Sequence, residues 1–198
     1  MTDAKRTFDV IASALGLWFL APVFLGVSLA VWAHDRGPVF FRQERVGKDG
    51  KVFRIRKFRS MRADNQGALI TSADDDRITP IGKVLRKTKL DELPQLIDVL
   101  VGNMSLVGPR PEVPRYVELW GREAAAEILS VRPGISDPAA IAYRNEQDEL
   151  AAADDPERHY VEMILPRKVE MYLDYVRTRS FMGDIALILR TLAAVLSR

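Results

Sequence analysis

A chain of 198 residues with 47% hydrophobic content can bury one sizeable core, which predicts one compact domain plus any dedicated apolar segment. The formal charge of +2 is small but unevenly spread. The absence of Cys excludes disulfides, thiolate catalysis and Cys-based metal sites.

From Val10 to Ala33 no side chain is charged, and Pro22 stands at the midpoint. As one straight helix this stretch would run about 36 Å, enough for a hydrocarbon core of roughly 30 Å. Pro22 removes a backbone donor and clashes with the carbonyl of Trp18, so the helix breaks there and neither half spans alone. A cleaved signal peptide is disfavoured, because the run is longer than a usual apolar region and basic residues follow it. A kinked spanning helix and a re-entrant helix–break–helix remain. Lys5 and Arg6 precede the segment, while Arg36, Arg42 and Arg45 follow it. Positive charge marks the cytoplasmic side, and both flanks carry it, which favours the hairpin. Trp18 and Trp32 suit either an interface or simple packing.

Between Arg36 and Arg62 ten Lys/Arg face only Glu44 and Asp49. Such a block fits a cytoplasmic surface that meets anionic lipid or phosphate ligands. Within it, two extended stretches with alternating Phe53, Arg54, Ile55 and Arg56 are joined at Gly47–Gly50, predicting a β-hairpin. Residues 63–77 read as a polar loop. Thr79 and Pro80 mark a helix start, with Ile81, Val84 and Leu85 on one face. A second helix is expected after Asp91, carrying Leu93, Leu96, Ile97 and Leu100, and a third with Leu119, Ile128 and Leu129. The acid-rich stretch from Asn145 reads as helical, with a kink at Pro166. A last helix, Ile185 to Leu196, is too short to span and is either a core or an interfacial helix. The sum is a mainly helical α+β fold: a re-entrant membrane helix–break–helix over 1–35, and a compact cytoplasmic domain with a small sheet over 36–198.

The stretch "RKTKLDELPQL", residues 86–96, holds the most chemistry. Asp91 could serve only as a helix N-cap, and Glu92 as a first-turn acid favourable to the helix dipole. Equally, a helix start suits an anionic phosphorus centre. A carboxylate there is ionised at neutral pH and is a nucleophile without a base, while its neighbour can hold Mg²⁺. In "SLVGPRPE", residues 105–112, two prolines aim Arg110, and guanidinium is a good phosphate partner. "RPGIS", residues 132–136, is another stiff turn with an arginine. Taken singly, each is as well read as a loop ending a helix.

Taken in order after an apolar segment, "FFRQERVGKDGKVFRIRKFRSM", "LDELPQL", "SLVGPRP" and "RPGIS" resemble the bacterial sugar transferase family, the monotopic polyprenol-phosphate phosphoglycosyl transferases. The match covers roughly residues 5–146. The resemblance implies transfer of a sugar 1-phosphate from a UDP-sugar to polyprenyl phosphate, usually undecaprenyl phosphate, with release of UMP. It also implies a re-entrant hairpin in the cytoplasmic leaflet of the bacterial inner membrane. Asp91 would be the nucleophile, and Glu92 would help bind Mg²⁺. Arg86 and Arg110 would contact phosphate or nucleotide, and Pro109 and Pro111 would shape the loop near uridine. Arg132, in the third motif, joins the substrate-binding set. Two departures stand out: Ala21 occupies a place often held by Ser, and "DPAAIAYRNEQ" replaces the usual Gly-Trp-Ala-Gln sequence. Tyr143, Arg144 and Asn145 of that variant are candidates for the donor pocket.

Neither half-reaction needs a proton acceptor, consistent with only two histidines, His34 and His159. A membrane-anchored nucleotide-sugar sensor or scaffold, without catalysis, is the rival reading; it would keep the hairpin but not need Asp91. Nucleic-acid binding through "RIRKFRSMR" is disfavoured by few stacking aromatics and by the membrane segment. A homo-oligomer is compatible with the sequence.

Overall fold

The computed structural model describes residues 2–62, 71 and 75–196, so most of the polar stretch 63–77 lies outside the described residues. Helix α1 (Thr2–Phe19) meets α2 (Ala21–Asp35) at Leu20, and the pair is bent by 62°. Pro22 falls in the first turn of α2, where its missing N–H has no intrahelical partner to lose. No side chain caps the break at Leu20. Among the described residues no single helix is long and apolar enough to cross a bilayer, though the bent pair is when taken together.

Strands β1 (Phe40–Val46) and β2 (Val52–Phe58) form the expected antiparallel hairpin, registered from Phe40 opposite Phe58 to Val46 opposite Val52. Its turn uses Asp49 and Gly50, both with positive φ. Helix α3 (Pro80–Thr88) starts as predicted: the Thr79 hydroxyl accepts the Gly82 N–H at 3.0 Å. A Cβ on Gly82 would lie 1.9 Å from the Ser60 carbonyl oxygen, so only glycine lets α3 sit against the end of the hairpin. Of its expected apolar face, Leu85 is buried and Ile81 half-buried, but Val84 is 58% exposed.

The helix expected directly after Asp91 starts later. A 3-10 turn, Leu90–Glu92, comes first, and α4 (Gln95–Leu100) follows. Asp91 is therefore not a helix N-cap, and α4 is capped by no side chain. The buried face of α4 is Gln95, Asp98 and Val99, while Leu96, Ile97 and Leu100 are half-buried, with Leu96 against Gly16 of α1, and Leu93, before α4, packs towards Phe58 and Leu85.

Strand β3 (Ser105–Val107) pairs in parallel with β4 (Gly134–Ser136), so the small sheet is two separate two-stranded sheets. Between them lie α5 (Pro114–Val117) and α6 (Arg122–Ile128). The expected third helix is thus divided: Gly121 adopts φ 78°, and Leu119 falls outside α6, 54% exposed. Helices α7 (Pro138–Ala142), α8 (Glu146–Ala151) and α9 (Pro156–His159) lead to a π-turn, Tyr160–Ile164, and then α10 (Leu165–Thr178). Pro166, where a kink is expected, falls in the first turn of α10 directly after this π-turn, a place that tolerates a residue that cannot donate. Val113, Trp120, Ile128, Leu150, Ile164 and Tyr172 centre the core of this helical half. Helix α11 (Phe181–Leu196) closes the fold.

Both ends of the bent pair are tied to the domain. At the start of α1, Lys5 donates to the Val107 carbonyl at 3.1 Å and pairs with Asp184 of α11, and Arg6 donates to the carbonyls of Val99 and Leu100. Asp9, 2% exposed, accepts the Ser105 hydroxyl at 2.8 Å and the Leu106 N–H at 3.2 Å. At the end of α2, Val31 packs with Phe58 and Leu85, and the Arg59 guanidinium bridges both oxygens of Asp35. Between these anchors the elbow is apolar and open, with Trp18 71%, Phe19 67% and Leu25 63% exposed.

Candidate active site

Asp91 and Glu92 sit on the 3-10 turn between α3 and α4, against the end of β2. Two features hold the turn. Lys89 takes a left-handed conformation, φ 58°, which ends α3 and starts the turn. Asp98, wholly buried on α4, accepts the Arg56 N–H of β2 at 2.9 Å and pairs with its guanidinium, locking α4 to the hairpin.

The two carboxylates have opposite surroundings. Glu92 accepts Lys57 at 3.0 Å and both Nη groups of Arg110, one at 3.3 Å and one shorter. Burial works to raise its proton affinity, but Arg110, Lys57 and Lys89 outweigh it and hold Glu92 well below the usual carboxylate range. Asp91 is 7% exposed, and its Oδ1 has no hydrogen-bond partner among the described residues. Burial and the adjacent Glu92 charge raise its proton affinity, against the pull of Lys57, Arg86 and Lys89. Asp91 is thus set apart from a solvated surface carboxylate. Asp91 is a desolvated one, which makes its unpaired oxygen more nucleophilic once ionised.

Of the residues singled out in the sequence, Asp91, Glu92, Arg86 and Arg110 converge. Arg86, on the last turn of α3, donates to the Ser60 hydroxyl at 3.4 Å and acts electrostatically on Asp91. Arg110 follows β3 after Gly108 and Pro109. A Cβ on Gly108 would lie 2.3 Å from the Arg132 carbonyl oxygen, and one on Gly134 2.1 Å from Gly108 N. The two motifs read as loops are thus parallel strands pressed together through glycines. Pro109 and Pro111 are buried; the Pro109 carbonyl accepts Gly134 N–H at 2.9 Å, and that of Pro111 accepts Arg45 at 3.2 Å. They hold the Arg110 loop from both sides.

Arg132 is placed elsewhere, donating to the Gly102 carbonyl at 2.9 Å beyond the end of α4. Arg144 is exposed in the turn between α7 and α8, as is Asn145, while the Tyr143 ring packs towards Lys168. Sequence reasoning missed Lys57 as an individual, because it lies among nine other cations in the basic block. Its place two residues after the buried Ile55, on the same face of β2, is the signal that sets it apart from Arg54 and Arg56.

Among the described residues no group of three or more His, Asp or Glu converges as a metal cage. Both Glu92 oxygens are already engaged, and Asp91 Oδ1 is the unpaired acceptor beside them. A Mg²⁺ here would have to draw one or two oxygens from this pair and its remaining ligands from a bound diphosphate and water.

The model of the family described as bacterial sugar transferase matches residues 1–198. The chain is 38% identical, over 94% of its length, to the UDP-glucose:undecaprenyl-phosphate glucose-1-phosphate transferase of Escherichia coli K12, and spans 39% of that protein. It is 36% identical, over 98% of its length, to the UDP-N-acetylgalactosamine-undecaprenyl-phosphate N-acetylgalactosaminephosphotransferase of Aeromonas hydrophila, and spans 44% of it. A UDP-glucose:undecaprenyl-phosphate glucose-1-phosphate transferase of Caulobacter vibrioides is 34% identical over 98% of this chain, which spans 70% of it. With its whole length matched and its buried acid pair held between cationic motifs, this chain belongs to the bacterial sugar transferase family.

Proposed function

We propose that the chain is a phosphoglycosyl transferase that moves a sugar 1-phosphate from a UDP-sugar to undecaprenyl phosphate or a related polyprenyl phosphate, releasing UMP. The observation that carries this is the desolvated, unpaired Asp91 oxygen beside a carboxylate held by Arg110 and Lys57. An Asp91 oxygen attacks the β-phosphorus of the donor. The new O–P bond makes a phosphosugar ester on Asp91, and the bond to the bridging oxygen breaks, so UMP leaves with that electron pair. A lipid phosphate oxygen then attacks the same phosphorus and frees Asp91. No proton changes hands in either step, so the site needs cations rather than a base. Arg86, Lys57 and Lys89 lower the cost of the Asp91 charge and present positive potential to the incoming diphosphate. Glu92, when released from its ion pairs, would hold Mg²⁺, which supplies neutralisation of the diphosphate charge.

The bent helix pair is read as re-entrant, placing the enzyme at the cytoplasmic face of the bacterial inner membrane, where its lipid acceptor lies. Support comes from its two anchored ends: Lys5, Arg6 and Asp9 on one side, and Asp35 and Val31 on the other, all dock on the same domain. A spanning pair would separate those ends by a bilayer. The exposed elbow and the open apolar residues of α11, Met182, Leu189 and Leu192, are surfaces suited to lipid.

The test is UMP release by protein in lipid nanoparticles with Mg²⁺, undecaprenyl phosphate and a panel that includes UDP-glucose and UDP-N-acetylgalactosamine. Release should depend on the lipid and fall by at least about 10³-fold in Asp91→Asn, the scale expected on losing a covalent nucleophile. Intact-protein mass spectrometry should find the phosphosugar adduct on Asp91. An adduct on another residue would end that assignment. Donor binding without turnover by folded protein would favour the anchored binding module instead.

A further inference from the structure

Asp137 takes no part in the chemistry above, yet it is a fully buried carboxylate close to Arg110. It caps α7 with one oxygen: Oδ1 accepts the Ala140 N–H at 2.8 Å, while Oδ2 has no partner among the described residues. A cap needs one acceptor, which Ser or Asn supplies without burying a charge, so the second oxygen calls for another use.

Its position gives that use. Gly108 N–H donates to Ser136 at 3.1 Å, and Gly134 N–H donates to Pro109 at 2.9 Å, so the chain entering Asp137 lies against the chain entering Arg110. Burial pushes the Asp137 carboxyl up to about 6, and the Arg110 charge is the first effect opposing this. Lys168, the other cation acting on Asp137, is already committed: it pairs with Glu146 and lies 4.9 Å from the Tyr160 ring centroid. The Tyr172 hydroxyl, buried and also without a partner among the described residues, feels the Asp137 charge.

Arg110 meanwhile occupies both oxygens of Glu92, which also holds Lys57. A metal–diphosphate complex that takes up the Glu92 oxygens competes for them with Arg110, and a guanidinium displaced inside the protein needs another anion. We propose that Asp137 is a positioning residue that receives Arg110 when Mg²⁺ and the donor diphosphate engage Glu92, so that Arg110 exchanges between two carboxylates. This rests on the functional reading above. The "DPAAIAYRNEQ" variant thereby gains a role for its first residue.

The test titrates Mg²⁺ with UDP into the detergent-solubilised protein by calorimetry. Asp137→Asn keeps the capping oxygen and the volume but removes the charge, and thermal unfolding of each variant checks that it is folded. Binding should weaken about tenfold in Asp137→Asn, and the same substitution should cost nothing further in an Arg110→Gln background, as expected of coupled partners. Equal loss in both backgrounds, or none in the wild-type background, overturns the exchange. Should Asp137→Asn not fold, a structure of the wild-type protein with Mg²⁺ and UDP decides: Arg110 on Asp137 supports the proposal, and Arg110 still on Glu92 overturns it. Wild-type protein that binds no Mg²⁺–UDP would overturn the transferase reading as well, whereas binding that Asp137→Asn leaves unchanged overturns the exchange alone.

Discussion

The carboxyl of Asp91 is pushed up by burial and by Glu92, while Glu92 itself is held down by Arg110 and Lys57. Interacting this closely, the two titrate as a pair, and activity should show an acid limb above the range of a free carboxylate because Asp91 attacks only when ionised. Glu92→Gln removes the charge that raises Asp91 and leaves Lys57 and Arg110 uncompensated, so the acid limb of its residual activity should move to lower pH. A pH profile of UMP release checks the direction; a limb that moves upward would contradict the stated cause. The signs for stability are opposite. Asp91 contributes stability that is fully present below the ordinary carboxylate value and is lost as pH rises through its raised one. Glu92 contributes stability present above the ordinary value and lost as pH falls through its depressed one.

At the level of elements, the β3–β4 contact is set by backbone approach rather than side-chain packing. Gly134→Ala would place a Cβ 2.1 Å from Gly108 N, in backbone that has no far end to swing away. The expected cost is about 3 kcal/mol or more, near the upper end for overpacking. Thermal unfolding measures it, and a change within experimental error would mean that the strands separate freely. The docking of α1 is equally specific. Lys5→Ala leaves Asp184, only 4% exposed at its side chain, facing Tyr175 without a cation. Removing one partner of such a buried pair costs about 3–5 kcal/mol, again read by thermal unfolding.

For the whole molecule, the membrane pose follows from where the domain holds the helix pair. Cysteines at Ala4 and Arg36, both exposed positions flanking the anchors, should react with an impermeant thiol reagent from the cytoplasmic side only. Opposite-side labelling would mean that the pair spans the bilayer and that the contacts of Lys5 or Asp35 with the domain do not persist in the membrane.

The elements specified by local chemistry were legible in the chain itself. A proline inside an uncharged run dictates the bend near Leu20, the Thr79–Pro80 pair starts α3, and alternation with a Gly-rich turn makes the β1–β2 hairpin. The acid pair and the arginines of two motifs were legible too, because chemistry at a phosphate needs those residue types. What only the tertiary structure decided depends on contacts between distant segments. Three-residue strands carry too little periodicity to announce themselves, so "SLVGPRP" and "RPGIS" looked like loops until β3 and β4 paired. Lys57 reaches Glu92, Asp98 reaches Arg56 and Arg132 turns to Gly102 only once helix and hairpin are packed. The burial that sets Asp91 apart from Glu92 arises in the same way. Local propensity writes which residues can bend, cap or ionise, but the electrostatic environment of a carboxylate is the sum over everything folded around it.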